Sequence, residues 1–395
     1  MTRLLHLADV HLGASYSAFG GLASARSAAA LEEFKKLPSI AASEAVEAVL
    51  IAGDLFDGPG IDNATIAAVR ETLRRVAQSG RPVFIIPGNH DSVTLKRDIY
   101  RELVDGQKVI KINEETGSIV GRPDCVYVFT APSFGAPVTV PLASGVLNVY
   151  GLAYDRSQDS TPLATFVRAP SEGLHIVLLH GPVPMASHWK ASGNSLQLPI
   201  DALRGMHADY IALGDFHRPW LPAQFSTQGD IPACYPGSFT SLDLTETGDH
   251  GYAVVELTRG GKPVIAFRKT GLNAVHDIGD FDVGACDNEA AVASAIADVT
   301  PDGTIPVVRL VGSPAFPLDV EQVAAALEEQ FECAGVEDAT MYFASQRLAA
   351  IASQDTVAGH VVRLAGELIE ATADQDEKVR IDGSLRVALQ ALGVS

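Results

Sequence analysis

The chain is 395 residues long, 47% hydrophobic and 19% charged, which excludes a disordered or fibrous protein and calls for one large domain with smaller additions. Its formal net charge of −19 argues against a broad basic face for nucleic acid, so any DNA contact is expected to be local or helped by a partner, while the same charge also reads simply as solubility. The four cysteines, Cys125, Cys234, Cys286 and Cys333, form no C-x-x-C pair, which excludes a zinc knuckle and predicts buried thiols in a reducing cytoplasm.

Residues 1–12 carry an apolar run broken by His6 and Asp9, unlike the core of a signal peptide, and no segment reaches the apolar length of a membrane span. A cytoplasmic protein with no membrane partner is expected. Apolar runs at Leu4 to Ala8, Ala48 to Ala52, Pro82 to Ile86, Ile176 to Leu179 and Tyr210 to Leu213 predict strands covered on both faces. Between them, Leu31 to Glu47 and Asn63 to Gln78 carry apolar residues at three- and four-residue spacings, predicting crossover helices of a layered α/β domain. From Val126 to Val149 and from Tyr235 to Arg268, short alternating runs broken by Gly and Pro predict a second, antiparallel sheet or hairpins. This first domain is expected to close near residue 268. Beyond it, a helix from Asn288 to Asp298, a strand from Pro306 to Val311, a helix from Val320 to Glu332 and a strand from Thr340 to Phe343 predict a small α/β domain over residues 269–350. Two amphipathic helices, Thr356 to Thr372 and Gln375 to Leu392, make up a tail over residues 351–395 that either covers its own domain or docks a partner.

Polar residues gather where the five strands end: Asp9-Val10-His11, Gly53-Asp54-Leu55-Phe56-Asp57, Gly88-Asn89-His90-Asp91, His180-Gly181 and Gly214-Asp215-Phe216-His217. Ligands of open α/β sheets bind beyond the carboxyl ends of the strands, so these clusters predict one shared site. Carboxylate, amide oxygen and imidazole are the groups that hard divalent ions such as Mn²⁺ or Mg²⁺ accept. Asp9 with His11, and Asp215 with His217, stand at i and i+2 and would reach into one cleft from an extended strand. Gly53, Gly88, Gly181 and Gly214 are expected at tight turns that bring backbone close to a metal or phosphate. A lone D-x-H is more often structural; a structural role does not explain such clusters at every strand end.

These motifs resemble those of the calcineurin-like metallophosphoesterases, and among them the SbcD type of bacterial DNA-repair nuclease. The resemblance rests on LLHLADVHLG (Leu4 to Gly13), LIAGDLFD (Leu50 to Asp57), IIPGNHDS (Ile85 to Ser92), LLHGPV (Leu178 to Val183), DYIALGDFHRP (Asp209 to Pro219) and YPGSF (Tyr235 to Phe239). It implies a four-layer αββα sandwich over residues 1–268, a small C-terminal α/β capping domain, and two divalent ions, Mn²⁺ or Mg²⁺. By this resemblance Asp9, His11, Asp54 and His217 hold one ion, and Asp54 bridges to a second completed by Asn89, His180 and Asp215. His90 would stabilise the transition state or protonate the leaving oxygen with Asp91 orienting it, while Asp57 supports the ligands from behind. Such a pair of ions acidifies a bridging water, orients a phosphodiester and neutralises the departing oxygen, and no further cofactor is implied.

One position departs from the resemblance: the nuclease branch commonly reads Gly-His-x-His where this chain has Gly214-Asp215-Phe216-His217. A carboxylate there still binds a hard cation, favours Mn²⁺ or Mg²⁺ over softer ions and makes bound water less acidic. Tyr16, Phe19, Lys96, Arg97, Arg156, Lys190 and Arg218 are candidates for a phosphate path at the cleft mouth. Tyr16 and Arg218 are singled out as substrate-binding, Arg218 because it directly follows His217. The resemblance further implies an SMC-like ABC ATPase of the SbcC type that supplies DNA binding, the tail helices as candidate docking elements, and a homodimer through the helices near residues 60–110. Two other readings stand beside the nuclease: a phosphodiesterase for nucleotides or other small esters, and a non-catalytic subunit that binds DNA ends or a partner.

Overall fold

A computed structural model describes the chain except for residues 105–106, 114–116, 118, 158–160, 185–195, 226–229, 313, 315, 317, 341–344 and 395. It divides into two units, Met1–Ala274 and Val275–Ser395.

The strands of the first unit are β1 (Thr2–Leu7), β2 (Ala48–Ala52), β3 (Val83–Ile86), β4 (Val109–Ile112), β5 (Ile119–Val120), β6 (Val126–Phe129), β7 (Val138–Leu142), β8 (Gly145–Gly151), β9 (Leu174–His180), β10 (Tyr210–Gly214), β11 (Ala233–Cys234), β12 (Gly251–Leu257) and β13 (Val264–Lys269). They form two sheets, ordered β13-β12-β1-β2-β3-β6-β4 and β11-β10-β9-β8-β7-β5. Alternation along the strands explains why the sheets stack face to face. Leu4, Ala48, Leu50 and Ala52 from the first sheet meet Leu147, Val149, Ile176, Leu178, Tyr210 and Ala212 from the second in a core between them. Leu5, Leu7, Val49 and Ile51 turn the other way, onto Phe34, Leu37, Val69 and Leu73 of the helices Ala23–Phe34, Leu37–Ser43 and Asn63–Gln78. Val177, Leu179, Ile211 and Leu213 face the outer layer of the second sheet, where Leu163, Leu203, Met206 and Phe225 lie. The result is the four-layer αββα sandwich. All four cysteines are buried thiols.

Two sequence expectations for this unit need correction. The predicted helix from Leu31 to Glu47 begins earlier, at Ala23, and is broken between Phe34 and Leu37, because Pro38 lacks the N–H a continuous helix needs and starts a new one instead. The regions expected to give a second antiparallel sheet or hairpins give hairpins: β7 opposes β8 and β12 opposes β13, while β8, β9, β10 and β11 run parallel. The β12–β13 hairpin extends the first sheet through β1, and β6 joins β3 in parallel. The VYVF run of β6 is buried at every position, the pattern of a strand covered on both faces rather than of an exposed hairpin.

The second unit holds β14 (Ala274–Asp282), β15 (Thr304–Val311) and β16 (Gly335–Asp338) in one sheet of that order, with helices Glu289–Val299 and Val320–Glu328 over it. The Asn288 and Asp319 side chains cap these two helices by accepting from Ala291 N and from Glu321 and Gln322 N. The second helix stops at Glu328 rather than Glu332, since further acidic residues would stack against the negative end of its dipole. The predicted strand from Thr340 to Phe343 lies, from Met341 on, outside the described residues; the observed strand is Gly335–Asp338. Helices Ser345–Ala352, Val357–Ala371 and Gln375–Ala391 close on a small core of Ile351, Val362, Ala365, Leu385 and Leu389. Among the described residues no helix is long and apolar enough to cross a membrane.

Candidate metal centre

The carboxyl ends of β1, β2 and β3 in one sheet and of β9 and β10 in the other meet at a single cleft. Its floor is two loops zipped together: Asp9 N donates to Gly53 O, Val10 and His11 N to Asp54 O, Leu12 N to Leu55 O, and Asp57 N to Leu12 O. Asp9 and His11 do not continue β1 in the extended form that their i, i+2 spacing predicts. Both lie in the left-handed region, at φ 49° and 48°, as does Asp54 at 49°, and Asp215 has φ 100°. Asp and His tolerate that region better than most residues, yet each instance carries strain held in place by its surroundings, as is common where chemistry is done.

Histidine tautomers are set from behind. His180 Nδ1 donates to Ala52 O across the two sheets at 2.9 Å, His11 Nδ1 to Asp57 Oδ1 at 2.9 Å, and His217 Nδ1 to Glu246 Oε1 at 2.5 Å. Each ring therefore turns Nε2 toward the cleft, the arrangement of metal-ligating histidines. His180 Nε2 lies 3.4 Å from Asp54 Oδ2, 3.8 Å from Asp215 Oδ1 and 2.8 Å from Asn89 Oδ1. His11 Nε2 lies 3.6 Å from Asp54 Oδ2, too far for a hydrogen bond, and is buried with no hydrogen-bond partner. A buried ring nitrogen without a partner, facing carboxylates, fits a cation between them. Among the described residues three groups converge closely enough to hold an ion: Asp9 with His11 and His217, Asp9 with Asp54 and His180, and His11 with Asp57 and His90.

The electrostatics agree. Burial pushes Asp9 up to about 6 against the pull of His180 and His217. Burial also opposes ionisation of Asp54, but the His180, His11 and His90 imidazoles outweigh it and hold this carboxyl well below the usual range. His217 would be lowered by burial, yet Glu246 and Asp9 carry it up to about 9. Buried carboxylates this close to one another require positive charge among them, from imidazolium or from a metal cation.

Gly53 and Gly181 turn the chain at positive φ, 93° and 153°, and the glycines also leave space that a side chain would fill. A Cβ on Gly53 would sit 2.1 Å from His180 Nδ1, one on Gly88 2.2 Å from Asp54 Oδ1, and one on Gly214 2.0 Å from Ala52 O. They make room for the candidate ligands and let the two sheets close on each other at this end.

Asp9, His11, Asp54, Asn89, His180, Asp215 and His217 thus converge, but the pairing of His90 with Asp91 does not hold. Asp91 is 1% exposed and spends its oxygens on Gly88 N, Phe56 N and Tyr100 Oη, bracing the turn from below. The group beside His90 is Asp57, whose Oδ1 lies 3.2 Å from His90 Nδ1 while also accepting from His11. That contact raises the His90 pKa.

Tyr16 and Phe19, each 2% exposed, are buried rather than open at the cleft mouth: their rings meet edge to face, and Arg26 lies over Phe19. Arg97 is tied to Glu102 and Asn63. Arg218 is exposed and lines an open depression of about 490 Å³ with Asp215, Phe216, His217, Thr245, Glu246 and His250. Lys96 and Arg156 are also exposed. Lys190 lies outside the described residues. Glu246 and His250 escaped the sequence reading, since no apolar strand run precedes them to mark a strand end.

An αββα sandwich with carboxylate, amide and imidazole groups converging at strand ends defines a metal-dependent phosphoesterase. Residues 2–219 match the model of the calcineurin-like phosphoesterase family, and the chain belongs to that family. Similar proteins include a DNA double-strand break repair protein Mre11 of Aeropyrum pernix, 27% identical over 67% of this chain and 60% of its own length. An uncharacterized metallophosphoesterase, YhaO of Bacillus subtilis, is 25% identical over 65% of this chain and 57% of its own length. The Mre11 of Halobacterium salinarum is 25% identical over 79% and 71%. The chain thus spans 60% and 57% of the length of the first two relatives.

Proposed function

We propose that this protein is a two-metal phosphodiester hydrolase acting on DNA in strand-break repair. The observation that carries the hydrolase is the orientation of His11, His180 and His217, each fixed through Nδ1 so that Nε2 meets Asp9, Asp54 or Asp215. Asp9, His11, Asp54 and His217 would hold one ion, and Asp54, Asn89, His180 and Asp215 the other. Bound there, Mn²⁺ or Mg²⁺ supplies Lewis-acid polarisation of the phosphate and activation of water. His90, half exposed and oriented by Asp57, gives a proton to the leaving oxygen. Arg218, beside the ligand His217, receives a neighbouring phosphate.

DNA as the substrate is supported by the relatives named for double-strand break repair and by the motif wording shared with SbcD-type nucleases. The acidic charge of −19 fits a chain that leaves most of the DNA contact to a partner, an SMC-like ATPase in this reading. Cytoplasmic location and a homodimer belong to the same proposal. The test is purified protein with Mn²⁺, given duplex DNA, single-stranded DNA and bis(p-nitrophenyl) phosphate, beside Asn89→Ala. Cleavage of DNA that Asn89→Ala abolishes is expected; cleavage of the small ester alone would sink the nuclease.

A further inference from the structure

The segment from Gly237 to Gly251 is singled out by the sequence only through YPGSF at its start, and the mechanism above leaves it unused. It runs behind the candidate ligands on both sides of the cleft. Ser238 N donates to His217 O and Phe239 N to Asp9 O, so the backbones of two candidate ligands hang from adjacent residues. Gly237 makes that approach possible: it has φ 81°, and a Cβ there would meet His217 O at 2.9 Å.

The segment then returns. Glu246 Oε1 accepts from His217 Nδ1 at 2.5 Å, while its Oε2 accepts from Leu242 N at 2.8 Å. Its own backbone is held at both faces: Glu246 N donates to Asp243 O, and its carbonyl lies 3.1 Å from His250 Nε2. Burial lowers the His250 pKa. A carbonyl only accepts, so His250 donates through Nε2; its Nδ1 lies 2.7 Å from Ser238 Oγ, a hydroxyl that also has Thr240 O at 3.1 Å. Ser238, His250, Glu246 and His217 therefore form one closed circuit, from the backbone of His217 round to its ring.

We propose that Glu246 is a positioning residue for the metal centre, selecting the His217 tautomer and fixing the ring, with His250 and Ser238 locking Glu246 in place. The inference rests on the two-metal reading and adds a residue that reading does not contain. Both partners of the Glu246 side chain are N–H donors, and only a carboxylate accepts from both. A glutamine presents one oxygen and one NH₂, so it must leave either His217 or Leu242 facing a donor. Loss of such an outer partner lowers metal affinity by roughly 10–100-fold.

The experiment is calorimetric titration of metal-free protein with Mn²⁺, comparing wild type, Glu246→Gln and Glu246→Ala, with metal-free thermal unfolding alongside. The expected result is two ions in wild type and, in both variants, one ion weakened by about 10–100-fold with the other kept. Two ions bound with wild-type affinities in Glu246→Gln would overturn the proposal. So would equal weakening of both ions together with loss of cooperative unfolding, the mark of a merely structural residue. Absence of Mn²⁺ binding in wild type would instead overturn the two-metal reading itself.

Discussion

The half of the site carried by the first sheet supports itself, whereas the half carried by the second sheet is supported by the first. Asp9, His11 and Asp54 stand on loops whose backbones hydrogen bond to each other, and His11 is oriented by Asp57 from the same pair of loops. His180 is on β9 but is oriented by Ala52 O of β2. Asp215 follows β10 but donates its N–H to the Asp9 carboxylate, and His217 leans on Glu246, in the segment that leads into β12 of the first sheet. The first sheet is thus a platform, and the second delivers side chains whose final orientation exists only once the sheets have docked.

Asp54 belongs to the platform yet faces both halves: its Oδ2 is 3.6 Å from His11 and 3.4 Å from His180. Removing its charge with Asp54→Asn should therefore abolish the distinction by emptying both halves. Loss of several kcal/mol of transition-state stabilisation corresponds to a rate decrease of about a thousand-fold or more. Elemental analysis should find neither ion retained; retention of one would show that the halves bind independently.

Asp57→Ala tests the platform alone. One carboxylate oxygen orients His11 and His90, so the rate should fall by roughly 10–100-fold through His11. The pH profile gives a second reading. The Asp57 hydrogen bond raises the His90 pKa, and an acid catalyst loses activity as pH rises through its pKa. Without Asp57 that loss should move to lower pH. An unmoved alkaline limb would remove His90 from the role of proton donor.

The asymmetry also explains what the sequence revealed. Asp9, Asp54 and Asn89 announce themselves because an apolar strand run leads into each, and the same holds for His180 and Asp215. The runs are legible since burial on both faces forces them to be apolar. Supports are a different matter. Glu246 lies 29 residues beyond His217 in a turn-rich stretch, and nothing local tells which acid of Asp243, Glu246 and Asp249 meets the ring. The resemblance pairs Asp91 with His90, but successive side chains of the turn diverge, one down to Gly88 and Phe56, the other out to Asp57. The left-handed turns at Asp9, His11 and Asp54 were hidden too, since Asp and His occupy extended and left-handed backbone without any change of residue type.

Asp215→His probes the delivered half with a smaller change. The carboxylate places a third negative group beside Asp9 and Asp54, which would favour hard ions and leave metal-bound water less acidic. The histidine variant should take up Zn²⁺ more readily relative to Mn²⁺, and its rate with Mn²⁺ should change by about tenfold, or about 1.4 kcal/mol. Metal competition followed by elemental analysis reads the preference. Unchanged metal content and rate would mean that Asp215 takes no part in binding.

The smallest effect concerns the seam between the halves. His6 of β1 and Tyr210 of β10 join the two sheets, Nδ1 to Oη, at 2.9 Å, with the imidazole fully buried. Burial lowers the His6 pKa from 6.5 to about 3, so the ring is neutral in the folded protein over the ordinary range. The unfolded chain takes up the proton near 6.5, and the folded chain only near 3. The stability His6 allows is therefore whole above 6.5 and declines as pH falls toward 3, by about 1.4 kcal/mol per pH unit for one proton. His6→Gln keeps a polar group for Tyr210 but takes up no proton. Its unfolding free energy, measured in urea at pH 7 and pH 5 without metal, should fall less between the two than that of wild type. Equal falls would show that the sheets separate or admit water at the seam before His6 is protonated, and the platform would then be less tightly joined to the half it supports.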